Sequence, residues 1–306
     1  MLDSGHRCGH HPGRMSSEGR IAFKGYETWY RVEGDLGADR PPLVVLHGGP
    51  GLPHDYLEPL ARLADGGRAV VFYDQLGCGN SDRPDDDGLW TMSTFETELD
   101  VVRDQLGLAR FHLLGHSWGG WLALQYLLDR RPLELASPVL ASTCASVPAF
   151  ASETRRLKEQ LPPKIQEVLD RHEAAGTTHE PEYSQASLAY TTQWLIRSHI
   201  PDYLFAAKQG ENARIAALMH GPEWNVTGRL KDWDVTDRLA EVDVPTLVTS
   251  GRYDEMTPEL VERLVDGLPD ATWQLFENSA HMPHIEEEER YLAAVATFLD
   301  QHDDEA

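Results

Sequence analysis

No stretch of this chain is apolar for the roughly 20 consecutive residues that a membrane-spanning helix needs, although its hydrophobic fraction is 41 %. Cysteine is scarce. Cys8, Cys78 and Cys144 are too few for a disulfide framework and show no metal-ligand spacing. That favours a reducing compartment, so a cytoplasmic location is expected. Positive charge is short as well: 27 Lys and Arg against 50 Asp and Glu give a formal net charge of −23. Nucleic acid and anionic membrane both require a basic surface, so neither is an expected partner. The opening residues, Met1 to Arg14, are rich in Gly, His and Arg and lack the apolar core of a secretory signal. Residues 1–15 therefore read as a disordered leader, with Met15 an alternative start. No internal repeat or low-complexity tract is visible.

What is present is an alternation of short apolar runs with longer helical patterns, the signature of a mostly parallel sheet with helices on both faces. The strand candidates are Leu43 to Leu46, Ala69 to Tyr73, Phe111 to Leu114, Pro138 to Leu140, Thr246 to Thr249 and Thr272 to Phe276. Most are continuous Val, Leu or Phe runs, as expected of strands covered on both faces. Ile21 to Phe23 and Thr28 to Val32 alternate in polarity and suit an antiparallel edge hairpin. Ser93 with Glu96 has capping-box spacing, followed by a stripe of Phe95, Leu99, Val102 and Leu106. Thr257-Pro258 supplies an N-cap and an N1 proline ahead of Leu260, Val261, Leu264 and Leu268. Between about Thr143 and Leu239 the pattern is helical and broken by prolines and glycines. The expected organisation is a core of residues 16–142 and 240–306, interrupted by a helical cap over 143–239.

The strongest chemical signal is Gly115-His116-Ser117-Trp118-Gly119, a G-x-S-x-G motif between the run Phe111 to Leu114 and the helical run Trp121 to Leu128. A sharp strand-to-helix turn needs small neighbours and exposes the serine hydroxyl at a helix N-terminus. This context predicts the α/β-hydrolase fold, with Ser117 as nucleophile. His47-Gly48-Gly49-Pro50-Gly51 follows another strand, and its glycines allow backbone N–H groups to face an oxyanion. The hole is assigned to the N–H groups of Gly49 and Trp118, with His47 itself structural. The lysine and Ser/Thr of a phosphate-binding loop are missing.

A serine nucleophile needs a base and a carboxylate, which in this fold follow in the order Ser, Asp or Glu, His. Asp254 comes at the carboxyl end of one strand and His281 at that of the next. His284 is the neighbouring competitor for the base. Asp232 and Asp234 read as surface or salt-bridging residues. Cys78 reads as a small thiol buried near the cavity. Phe150, Tyr190, Trp194 and Trp224 fit a side-chain pocket or the packing of the cap equally well.

Taken together, His47-Gly-Gly-Pro-Gly51, Asp74-Gln-Leu-Gly-Cys-Gly-Asn-Ser-Asp82, Gly115-His-Ser-Trp-Gly-Gly120 and Gly251-Arg-Tyr-Asp-Glu255 resemble the proline iminopeptidases. The likeness runs from about Arg20 to Leu299. It implies an aminopeptidase with the triad Ser117, Asp254 and His281. It also implies recognition of the free α-amine by acidic residues, one being Glu255, which follows the triad aspartate. A second sits in a Gly-Pro-x-Glu pattern on the cap; here the chain reads Gly221-Pro222-Glu223, one residue shorter, which makes Glu223 the candidate.

The expected reaction is cleavage of an amide after an N-terminal residue with a free amine, on a small peptide or aminoacyl amide, without metal or organic cofactor. Alternatives with the same chemistry are an amino-acid amide hydrolase, an amidase that removes aminoacyl groups from secondary metabolites, and a general carboxylesterase. A non-catalytic receptor conflicts with the complete triad.

Overall fold

The strand candidates join into one eight-stranded sheet in a computed structural model that describes residues 15–222 and 224–303. The strands are β1 (Ser16–Phe23), β2 (Tyr26–Glu33), β3 (Leu43–Leu46), β4 (Val70–Tyr73), β5 (Phe111–His116), β6 (Leu135–Ala141), β7 (Thr246–Gly251) and β8 (Ala271–Phe276). Their order across the sheet is β1-β2-β4-β3-β5-β6-β7-β8. β2 runs antiparallel to β1 and β4; every other pairing is parallel. β3, β4 and β5 are buried along their whole length, as parallel strands between two helical layers must be.

Several strands run longer than expected, β1 and β6 most at their starts. β1 begins at Ser16 because main-chain pairing with β2 continues out to Ser16 opposite Glu33, although Ser16, Ser17 and Glu18 are exposed. β6 likewise starts at Leu135, ahead of the expected Pro138. Met15 is exposed, and its carbonyl accepts a bond from Gly34 N–H at 2.8 Å. The rest of the expected leader, with Cys8, lies outside the described residues.

Helices α1 (Met92–Leu106) and α2 (Trp118–Arg130) pack on the sheet. The stripe of α1 is as expected, with Phe95, Leu99 and Val102 buried. Its cap is not. Thr91, in extended backbone, accepts the Thr94 N–H at 3.2 Å. The helix therefore starts two residues before the position Ser93 would require, and Glu96 turns instead toward Arg130 on α2, 3.9 Å away.

Five helices follow β6: α3 (Val147–Lys158), α4 (Pro163–Ala175), α5 (Pro181–Tyr190), α6 (Asp202–Gly210) and α7 (Ala213–Met219). The segment is stitched at its root, where Val147 N–H reaches Trp233 O and Val235 N–H reaches Ala145 O, each at 2.9 Å. It also has a small core of its own. Tyr190, Trp194 and Trp224 cluster there with Leu157 and Leu169, while Phe150 packs 5.7 Å from Trp121 of α2. These four aromatics thus serve packing. The chain then returns through β7, α8 (Pro258–Gly267), β8, α9 (Pro283–Glu286) and α10 (Glu288–Gln301). Thr257 and Pro258 start α8 as expected, although the Thr257 hydroxyl makes no capping bond. Among the described residues, no helix is long and apolar enough to cross a membrane.

Candidate active site

Ser117 is the hinge between β5 and α2 and holds φ +56° and ψ −120°. A non-glycine residue rarely adopts this backbone, so the surroundings must over-determine it. They do. Ser117 N–H donates to Ala141 O at 2.9 Å, and Ser117 O accepts from Gly120 N–H and the Thr143 hydroxyl at 2.8 and 3.0 Å. The flanking glycines are steric requirements: a Cβ on Gly115 would lie 2.2 Å from Gly119 O, and one on Gly119 would lie 2.3 Å from Leu46 O. Trp118 is the first residue of α2, so its N–H has no acceptor within the helix.

The loop after β3 lies against this turn. A Cβ on Gly48 would sit 3.2 Å from Ser117 Cβ, and Gly49 holds φ +118°. His47 fixes the loop from behind. Its Nε2 accepts the Gln75 N–H at 2.9 Å, so its Nδ1 carries the proton and donates to Gly48 O at 3.0 Å. Burial pushes this imidazole down to about 4, keeping it neutral. Gln75 then ties loop to turn: its amide donates to His47 O at 3.2 Å and accepts the Trp118 indole N–H at 2.9 Å. The sequence showed Gln75 only as part of the Asp74 to Asp82 motif; nothing local marked it as this clamp.

His281, after β8, and Asp254, after β7, meet at 2.7 Å through Nδ1 and Oδ1. Asp254 Oδ1 also accepts the Met256 N–H at 2.8 Å. With a carboxylate at Nδ1, the proton sits there and Nε2 is left with its lone pair. Asp254 and His281 are both buried. His284 takes no part in this pairing. It packs edge-on to His116 and Tyr56, and burial pushes it down to about 3.

A second chain of bonds joins the halves of the site. His116 Nε2 donates to His281 O at 2.9 Å, so its Nδ1 accepts from the Tyr56 hydroxyl at 2.8 Å. That hydroxyl in turn accepts the Gly48 N–H at 2.7 Å. Burial, reinforced by His281 and His284, holds His116 far below the usual imidazole range, as a neutral link requires.

The Asp74 to Asp82 motif is scaffolding beneath the loop. Asp74 accepts from His54 Nδ1 at 2.7 Å and from Asn80 N–H at 2.8 Å. Burial opposes ionisation of Asp74, but His54 holds its carboxyl well below the ordinary range. Glu98, which accepts from Thr28 and from Leu76 N–H, is pushed by burial up to about 8 despite those bonds. Cys78 is buried behind His47, its Sγ 3.6 Å from His47 Nε2, and burial drives its thiol far above the usual range. It is not on the cavity wall, and a neutral buried thiol is a poor nucleophile.

Ser117 opens onto a cavity of about 470 Å³. Gly48, Gly49, His116, His281 and Glu255 line it from the sheet side, and residues of α5, α6 and their connection line it from above. Glu255 is 2 % exposed, so its carboxyl lies at the sheltered part of that wall. Glu223 lies outside the described residues. The α5 and α6 residues on the wall carry no mark in the sequence that sets them apart from the larger aromatics nearby.

A sheet of this order, carrying its serine on the β5 to α2 turn, defines an α/β-hydrolase, and the family described as "alpha/beta hydrolase fold" matches residues 41–288. The chain is a hydrolase of that fold. Proline iminopeptidase of Lactobacillus helveticus is 39 % identical over 94 % of this chain and 99 % of its own, and that of Lactiplantibacillus plantarum is 41 % identical over 92 % and 100 %. Among solved structures, VinJ superposes with a TM-score of 0.90 at 41 % identity, and proline iminopeptidase of Mycobacterium smegmatis with 0.85 at 38 %. Each of these two covers 94 % of this chain and 99 % of the other. The protein belongs to the proline iminopeptidase family.

Proposed function

We propose that this chain is a serine aminopeptidase that cleaves the amide after an N-terminal residue bearing a free amine. The observation that carries this reading is the meeting of Ser117, His281 and Glu255 on one cavity wall, with Asp254 holding His281 from behind. His281 Nε2 removes the Ser117 hydroxyl proton as Oγ attacks the carbonyl carbon. The tetrahedral oxyanion is met by the N–H groups of Gly49 and Trp118. Collapse breaks the C–N bond, and His281 returns the proton to the leaving amine. A water then repeats the sequence on the acyl-Ser117 ester and releases the amino acid. The Asp254 carboxylate stabilises the imidazolium in both halves.

Glu255 supplies the countercharge that a substrate ammonium needs in a sheltered cavity. The family resemblance adds Glu223 as a second carboxylate. A cytoplasmic setting fits the two described cysteines, Cys78 and Cys144, both free and buried.

The test compares an aminoacyl chromogenic amide with its N-acetylated form and with a plain acetyl ester. Wild type should cleave only the free aminoacyl amide efficiently. Glu255→Gln should lose about 2–5 kcal/mol of transition-state stabilisation on that amide, as when one partner of a desolvated charge pair is neutralised, and little on the ester. Equal cleavage of blocked and free amides by wild type would make the enzyme a general amidase or esterase.

Gln75 gives a second expectation. Loss of a whole oxyanion donor costs about 10²–10³ in kcat. Gln75→Leu would loosen both donors without deleting either, so kcat should fall about tenfold with KM nearly unchanged. A change in KM alone, measured by steady-state kinetics, would place Gln75 in substrate binding instead.

A further inference from the structure

Five large apolar side chains stand exposed among the described residues: Met15, Leu133, Leu188, Phe205 and Tyr253. Two of them, Leu188 on α5 and Phe205 on α6, belong to the wall of the cavity that holds Ser117. The same wall continues through Leu195, Ile196, Ile200 and Leu204. These six differ in exposure: Ile196 is at 2 %, Leu195, Ile200 and Leu204 are half-buried, and Leu188 and Phe205 stand at 53 % and 54 %. Scattered apolar residues on a surface need no explanation, but six on one cavity wall, two of them exposed, do.

The chemistry sets the direction of the track. With the substrate ammonium held at the sheltered Glu255, everything beyond the scissile bond must leave by the open side, where Leu188 and Phe205 stand. Charge narrows the choice further. Lys208 is the one lysine or arginine among the described lining residues, and it is ion-paired with Glu211 on the same wall. A free C-terminal carboxylate on a short peptide would have to compete with Glu211 for it.

We infer that the leaving group is an apolar amine, several carbons long, that runs along α5 and α6 to cover Leu188 and Phe205. This rests on the reading of Glu255 as the ammonium site. A short polar peptide would leave the track wet. Each methylene taken out of water there is worth up to about fourfold in kcat/KM.

The experiment uses alkyl amides of one N-terminal amino acid, from propyl to hexyl, beside the same residue in a glycine dipeptide. Acetate esters of the matching alcohols form a parallel series. The quantity read is the hexyl-to-propyl ratio of kcat/KM, which is independent of the fraction of enzyme that folds. Wild type should give a ratio of at least about tenfold, and the dipeptide should fall below the hexyl amide. In the double variant Leu188→Ser/Phe205→Ser the ratio should shrink to about threefold or less. A ratio near one in wild type, a dipeptide that outpaces the hexyl amide, or a ratio that survives in the double variant would each overturn the inference. If N-acetylated and free amides are cleaved alike, the aminopeptidase reading fails, and the ester series then judges the apolar track alone: a rise lost in the variant supports it, a flat series refutes it.

Discussion

Ser117→Ala is expected to remove essentially all turnover, by a factor on the order of 10⁶ in kcat, while the protein stays folded. The size follows from the chemistry. Among the described residues of the cavity wall, no other combines a hydroxyl with a strained turn at a helix N-terminus. Cys78, the nearest alternative in sequence terms, is buried away from the wall with its thiol held neutral. Stability should change little, because the backbone contacts that hold φ +56° run through Ser117 N–H and O rather than through the hydroxyl. Turnover of a chromogenic aminoacyl amide and a thermal melt read the two halves of this statement. A serine-directed phosphonate should add its mass to Ser117 in wild type and to nothing in the variant. A label on Cys78, or residual turnover of a few per cent, would overturn the mechanism.

His281→Ala should be nearly as damaging, and the double variant Ser117→Ala/His281→Ala no worse than either alone. Nucleophile and base act as a unit, so their losses do not add. His284 provides the contrast. Its ring fills a space beside His116, Tyr56 and Tyr291 and has no share in the Asp254 carboxylate. His284→Ala should therefore cost about 2–3 kcal/mol of stability through the cavity left behind, with turnover per folded molecule mostly kept. Kinetics normalised to phosphonate-titrated sites, together with denaturant midpoints, separate the two effects. Wild-type turnover in His281→Ala would mean that the base had been misassigned.

Both expectations concern residues that a local pattern exposes. The turn at Ser117 needs a small neighbour on each side: a Cβ on Gly115 would meet Gly119 within the turn, and one on Gly119 would meet the end of β3 at Leu46, so the local G-x-S-x-G pattern records both. Asp254 and His281 are 27 residues apart yet were readable together. In a parallel sheet every strand points the same way, so residues just past the ends of β7 and β8 arrive at one edge. Buried strands also announce themselves, since a run such as Leu43 to Leu46 has no polar residue to offer water.

The cap of α1 was less legible. Ser93 and Glu96 have the right spacing, but Thr91 took the role, because backbone geometry and not spacing chooses which residue leaves the helix. Strand lengths were undercounted most at β1 and β6: at β1 main-chain pairing carries the strand through the exposed Ser16, Ser17 and Glu18, and at β6 the polar Ser137, buried in the sheet, interrupts the apolar run.

The sequence by itself determined the sheet's composition, the turn that presents Ser117, and the partners placed by strand direction. These depend on patterns that a few neighbouring residues carry or on the common polarity of parallel strands. Tertiary structure alone decided which groups brace the site and which surface the substrate meets. Gln75 holds His47 and Trp118 through side-chain atoms whose meeting depends on how three strand ends pack, and His116 reaches both Tyr56 and His281 across 60 and 165 positions. The cavity wall was equally hidden: on α5 and the turn after it, Tyr190 and Trp194 face the cap's own core while Leu188 faces the opening. An apolar residue looks the same in sequence whether it covers a core or waits for a ligand. Only the packing of the helix against its neighbours says which face is left uncovered.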